Sequence, residues 1–151
     1  REKEMFQQGY SLFLPARLAA KGVATEQIKV SDLGYRPYSV LFTTQKMIDE
    51  NPELVQEVVA RLRAAFVKSL NNPKPTMDLI LSKSKKVTAE IHMNAINLMK
   101  EEFLPKDYSK LGCMESARWG ELAGQLKQVD VVPSDFDPAS SFNLSFLGNC
   151  E

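Results

Sequence analysis

Ser39–Thr44, SVLFTT, is the segment that most limits what this chain can fold into. Its β-branched, aliphatic and aromatic residues predict a strand. Its core is apolar without alternation, which suits a strand covered on both faces, as in a parallel sheet. Such a strand needs neighbours on both sides, and the rest of the chain offers few. Gln7–Leu14 (QQGYSLFL) and Gln27–Leu33 (QIKVSDL) read as two further short strands. Beyond Gln45 the pattern turns helical. So short a set of strands cannot cover the helices that follow. The sequence therefore predicts an α/β, helix-rich fold that is part of a larger one, with its sheet completed elsewhere.

The helices carry clear punctuation. Pro15 suits a first helical turn, and Gly22 suits the end of the short helix it opens. Asn51 reads as a cap, followed by Pro52 at the first helical position and Glu53 in the first turn, where the helix dipole favours an acid. Val55, Val59, Leu62 and Phe66 recur at helical spacing, so one long helix is expected over Pro52–Leu70, stopped by Asn71, Asn72 and Pro73. A short helix over Pro75–Ser82 follows. Thr88 caps another, with Ile91, Ala95, Leu98 and Met99 on one face. Met114–Val129 reads as the last long helix, with Trp119, Leu122, Ala123 and Leu126 facing inward. Phe142 and Phe146 are expected to pack as core.

Charge and motifs exclude several classes. Nineteen Lys and Arg balance nineteen Asp and Glu, so no global charge draws the chain to nucleic acid. No run approaches the ~20 apolar residues of a membrane span. His92 is the only histidine and reads as a structural residue, which excludes a histidine-rich metal site. No nucleotide loop, nucleophile elbow or zinc-hydrolase motif is present. No cofactor is implied. Glu101 and Glu102 read as a solvated helix face, and Lys83, Lys85 and Lys86 as a solvated loop. Cys113 and Cys150 match no metal or redox spacing; they are either two free thiols or one bridge.

The residues best suited to a ligand lie around the turn GYRPYS, Gly34–Ser39. Tyr35 and Tyr38 offer aromatic faces with a hydroxyl. Arg36 suits a carboxylate, sulfonate or phosphate, and Asp32 suits an amine. Tyr10 and Ser11, before Pro15, form a second candidate pair. The plain alternative is that Gly34 and Pro37 only shape a hinge on which the tyrosines pack.

The continuous block SVLFTTQKMIDENPELVQEVVARLRAAFVKSLNNP, Ser39–Pro73, resembles the solute-binding proteins of ABC importers for nitrate, sulfonates, taurine and thiamine-pyrimidine precursors. In that family a buried strand precedes a short helix, then Asn-Pro-Glu-Leu-Val and a long helix ending near Asn-Pro. The run from Gly112 and Met114 through Arg118, Trp119, Leu122 and Leu126 to Phe142 and Phe146 is similar to the family's C-terminal part. YSLFLPARLAAKGV is similar to its passage from strand to helix in the second lobe, although Leu14 stands where members often carry an acid. The resemblance implies a partial type II periplasmic-binding-protein fold. Residues 1–38 would end the second lobe and cross over, and residues 39–151 would form the C-terminal part of the first lobe.

On this resemblance the partners would be a small-molecule solute, the importer's membrane subunits and a missing N-terminal half of the same protein. The solute would sit between lobes, near Gly34–Ser39, and the location would be periplasmic or extracellular. The lysine cluster would then be an alternative docking patch for the importer. Export implies a compartment where disulfides persist, so a Cys113–Cys150 bridge is expected, with the Pro-rich loop after Val129 letting the chain turn back. No catalytic residue is implied. A synthase of the thiamine pyrimidine shares the superfamily, but its cysteine-rich iron-binding run has no counterpart here. A helical interaction domain without a small ligand is the third possibility.

Overall fold

The computed structural model describes residues 6–148 and 150. They divide into two compact units, each built from two separate stretches. One comprises the N-terminal part to Lys29 together with Lys68–Lys106, and the other comprises Val30–Val67 and the chain from Asp107 onward. The lobe boundary expected after residue 38 falls inside the second of these.

The helix-rich expectation holds, whereas the strands do not form: among the described residues there is no strand ladder. Gln7–Leu14 is irregular, then turns at Tyr10, whose carbonyl accepts from the amides of Phe13 and Leu14. Helix α1, Leu14–Ala19, takes up the end of this segment, and Pro15 sits in its first turn, where its fixed φ is ready for a helix. Gly22, at φ 71°, closes α1 as expected. In Gln27–Leu33, the last four residues, Val30–Leu33, form a 3-10 turn. Ser31 and Asp32 favour turns over strands, and Gly34 takes the left-handed φ of 86° that ends it. Ser39–Thr44 forms no regular element and, among the described residues, pairs with no other segment, and Phe42 is 88% exposed.

The long helix is where the sequence placed it. Helix α2, Gln45–Glu50, is capped by the Thr44 hydroxyl, which accepts from the Met47 amide. Asn51 then joins it to α3, Pro52–Asn71: its amide donates to the Met47 carbonyl and its own carbonyl accepts from Val55. Helix α4 runs over Pro73–Lys83, two residues earlier than expected because Pro73, rather than Pro75, starts it.

In the first unit, helix α5, Ala89–Leu98, packs against α1 and α4. Thr88 caps it as predicted, its hydroxyl accepting from the Ile91 amide at 3.2 Å. Ile91, Ala95 and Ile96 are buried, and a π turn over Met99–Phe103 continues the helix. Glu102 is not merely solvated: it pairs with Lys29 at 2.6 Å, an exposed pair worth little in stability. His92 is half-buried, and its Nε2 is buried without a hydrogen-bond partner among the described residues.

In the second unit, helix α6, Ser116–Gln128, packs on a 3-10 turn at Pro138–Ser141. Ala123 and Leu111 are its buried residues. Cys113 and Cys150 are bonded, with Cα atoms 5.4 Å apart, so the bridge expected from export is present. It ties the tail to the start of α6. Arg63 of α3 holds the same region by donating to the carbonyls of Leu147 and Ser109.

Candidate functional site

The turn Gly34–Tyr38 is latched onto α6, and every latch uses side chains that local sequence would not pair. Gln125 donates to the Gly34 carbonyl at 3.0 Å. Arg118 spreads its fork over two successive carbonyls: Nε donates to Arg36 O at 2.7 Å and Nη2 to Pro37 O at 2.9 Å. The Tyr38 hydroxyl accepts from the Glu115 amide at 3.0 Å, which satisfies one of the free donors at the N-terminus of α6.

Rings complete the latch. The Arg118 guanidinium lies 3.8 Å from the centroid of the Tyr38 ring, in cation–π geometry. Tyr38 is 5.6 Å from Trp119, and Trp119 stacks on Phe142 at 5.3 Å. Trp119 and Phe142 therefore pack on each other but stay half-buried, short of the core positions expected of them. Phe146 packs elsewhere, lining a shallow groove of about 440 Å³ beside Pro52, Gln56 and Ala60 of α3. A smaller apolar cavity of about 120 Å³ lies between α6 and the loop after it, lined by Trp119, Leu126, Val132 and Phe136.

Held this way, the turn has a packed side and a free side. Tyr38 belongs to the packed side. Tyr35 and Arg36 are exposed, and among the described residues the Arg36 guanidinium makes no hydrogen bond or ion pair. Asp32 is exposed nearby in sequence, its carboxylate accepting among the described residues only a long 3.4 Å bond from Ser31. Asp32, Tyr35, Arg36 and Tyr38 thus share one turn of one unit. Tyr10 and Ser11 belong to the other unit, with Tyr10 exposed and Ser11 half-buried.

A carboxylate, a phenol and an unpaired guanidinium on a fixed backbone can meet a small polar molecule with charge and a stacking face. Neither cavity described above includes them, so the turn presents them at an open surface. Arg118 and Gln125 are the residues the sequence did not mark for this turn. They act on it from 82 and 91 residues away, and no linear motif signals such a contact.

One titratable group is displaced. The Asp107 carboxylate accepts from the Ser109 hydroxyl and the Ser109 amide, and these bonds hold it below its ordinary value of 3.8. No group of residues suited to a metal ion occurs among the described residues. No helix among them is long and apolar enough to cross a membrane. Comparison of the whole chain with protein-family models, curated proteins and solved structures finds no match in any of the three.

Proposed function

We propose that this chain is part of the solute-binding component of an ABC importer. It would capture a small polar or heteroaromatic solute, such as nitrate, a sulfonate, taurine or a pyrimidine, without turning it over. The observation that carries this reading is the latched turn. Arg118 and Gln125 fix the backbone of Gly34–Pro37 and the Glu115 amide holds the Tyr38 hydroxyl, while Tyr35 and Arg36 remain free to meet a ligand. Preorganisation of this kind reduces the ordering cost of binding. The helix order around Asn51-Pro52, short then long, supports the same reading because it follows the family pattern. The Cys113–Cys150 bridge is compatible with export to a periplasmic or extracellular site.

In this proposal residues 1–38 end one lobe and cross over, residues 39–151 return to the other, and the importer's membrane subunits and an N-terminal half are the partners. The test is a calorimetric titration of the full-length protein with nitrate, taurine, an alkyl sulfonate and an aminopyrimidine. One of them is expected to bind, and Tyr35→Ala with Arg36→Ala to weaken it at least about tenfold, the effect of losing one charged contact. Binding of none, or unchanged affinity in the double variant, rejects the proposal.

A further inference from the structure

The apolar face of α6 has a gap in it. Trp119 and Leu126 are large, but Ala123 between them, buried at 4% exposure, supplies only a methyl group. The loop after the helix passes this point and is fixed at both ends. The Val131 amide donates to the Leu126 carbonyl at 2.9 Å, and Phe142 is stacked on Trp119. Between these anchors the turn Pro138–Ser141 is itself capped by Asp137, whose carboxylate accepts from the Ala139 amide at 2.9 Å. A loop pinned in this way does not settle onto Ala123, and a cavity of about 120 Å³ is the space left.

Size and lining select the occupant. Trp119 and Phe136 bring rings, Leu126 and Val132 bring aliphatic groups, and among the described residues no charged one lines the cavity. The hydroxyl that lines it belongs to Ser141, an exposed residue. An ordered water needs roughly two to four polar partners, so water is poorly held here. A charged guest would lose its hydration with nothing to replace it. A dry apolar cavity of about 150 Å³ takes one benzene, so a space of this size suits one ring and not two. We infer that the cavity between α6 and the loop after it is a binding site for a single uncharged hydrocarbon ring of six carbons. This is independent of the reading of the turn, because Asp32, Tyr35 and Arg36 do not line the cavity.

The test is a titration of the complete chain with benzene, followed through the fluorescence of Trp119, the chain's only tryptophan and part of the cavity wall. A saturable change with a Kd of about 1 mM or tighter is expected from burying one ring. Benzene is also expected to raise the thermal midpoint, because it binds the folded chain alone. Naphthalene is too large and benzoate is charged, so each is expected to displace benzene at least about tenfold less effectively than benzene binds. Ala123→Leu fills the gap from the helix and Val132→Phe fills it from the loop. Each is expected to weaken benzene binding at least about tenfold, with far-UV circular dichroism confirming unchanged helix content. The absence of a saturable change in the wild type overturns the inference. So does undiminished benzene binding in either filled variant that keeps its helix content, or displacement by naphthalene or benzoate at benzene's own concentration.

Discussion

The indole of Trp119 lies 5.3 Å from the ring of Phe142 with the two planes 10° apart, which fastens the loop after α6 back onto that helix. Phe142 is half-buried, so its loss is less costly than that of a full core residue. Phe142→Ala is expected to destabilise by about 2 kcal/mol in urea unfolding. Trp119 is the chain's only tryptophan, so its fluorescence reports the contact directly. An unchanged spectrum and midpoint would show that the stack contributes nothing.

The Trp119 Nε1 is buried without a partner among the described residues. An unpaired buried donor carries a desolvation cost of about 1–3 kcal/mol. Trp119→Phe removes both that cost and some packing, so its net effect is expected within about 1 kcal/mol of zero. Trp119→Ala, which leaves a cavity, is expected to cost about 3 kcal/mol. Equal losses in the two variants would mean that the indole N–H does have a partner.

Arg118 is expected to matter for its shape rather than its charge. Arg118→Lys keeps the cation but cannot span the Arg36 and Pro37 carbonyls together. It is expected to lose about 2 kcal/mol, nearly as much as Arg118→Ala. Tyr38→Phe keeps the ring under Arg118 and loses only the bond from the Glu115 amide, about 1 kcal/mol. Full stability in Arg118→Lys would refute the latch.

The Cys113–Cys150 bridge closes a loop with a sequence separation of 37. In the chain-entropy treatment such a loop is worth ~4 kcal/mol at 25 °C, with measured values often lower. Reduction is expected to lower the unfolding midpoint accordingly and to expose the tail around Phe146 to proteolysis. Identical digestion of the reduced and oxidised protein would rule this out.

The depressed Asp107 group adds a small acid sensitivity. Its folded value lies below the ordinary 3.8, so its stabilisation is present above that value and is lost as pH falls through the lower folded one. Asp107 caps the turn whose Ser109 carbonyl accepts from Arg63. Asp107→Asn is expected to lower stability slightly near neutrality, where the carboxylate is charged, and to match wild type at acid pH, so that the profile is flatter below about pH 4. A slope identical to wild type across the acid range would contradict it.

Local signals alone determined the helices. Thr88, Pro52 and Gly22 act within a turn of themselves, through a hydroxyl, a fixed φ and a left-handed φ, so their roles survive whatever the rest of the chain does. The strand expectations failed because a strand has no internal hydrogen bonds. Ser39–Thr44 has the composition of a strand, yet among the described residues no neighbour pairs with it. In Gln7–Leu14 and Val30–Leu33, Pro15 and the Ser31-Asp32-Gly34 turn outweighed the aromatic and β-branched bias. The candidate site divided in the same way. Asp32, Tyr35, Arg36 and Tyr38 were visible from residue type and the Gly-Pro turn. That Tyr38 packs while Arg36 stays free was decided by Arg118, Trp119 and Gln125, residues brought to the turn by α6 from more than 80 positions away. Sequence fixes what each residue can donate, accept or bury, and only the tertiary structure decides which of those capacities is already used.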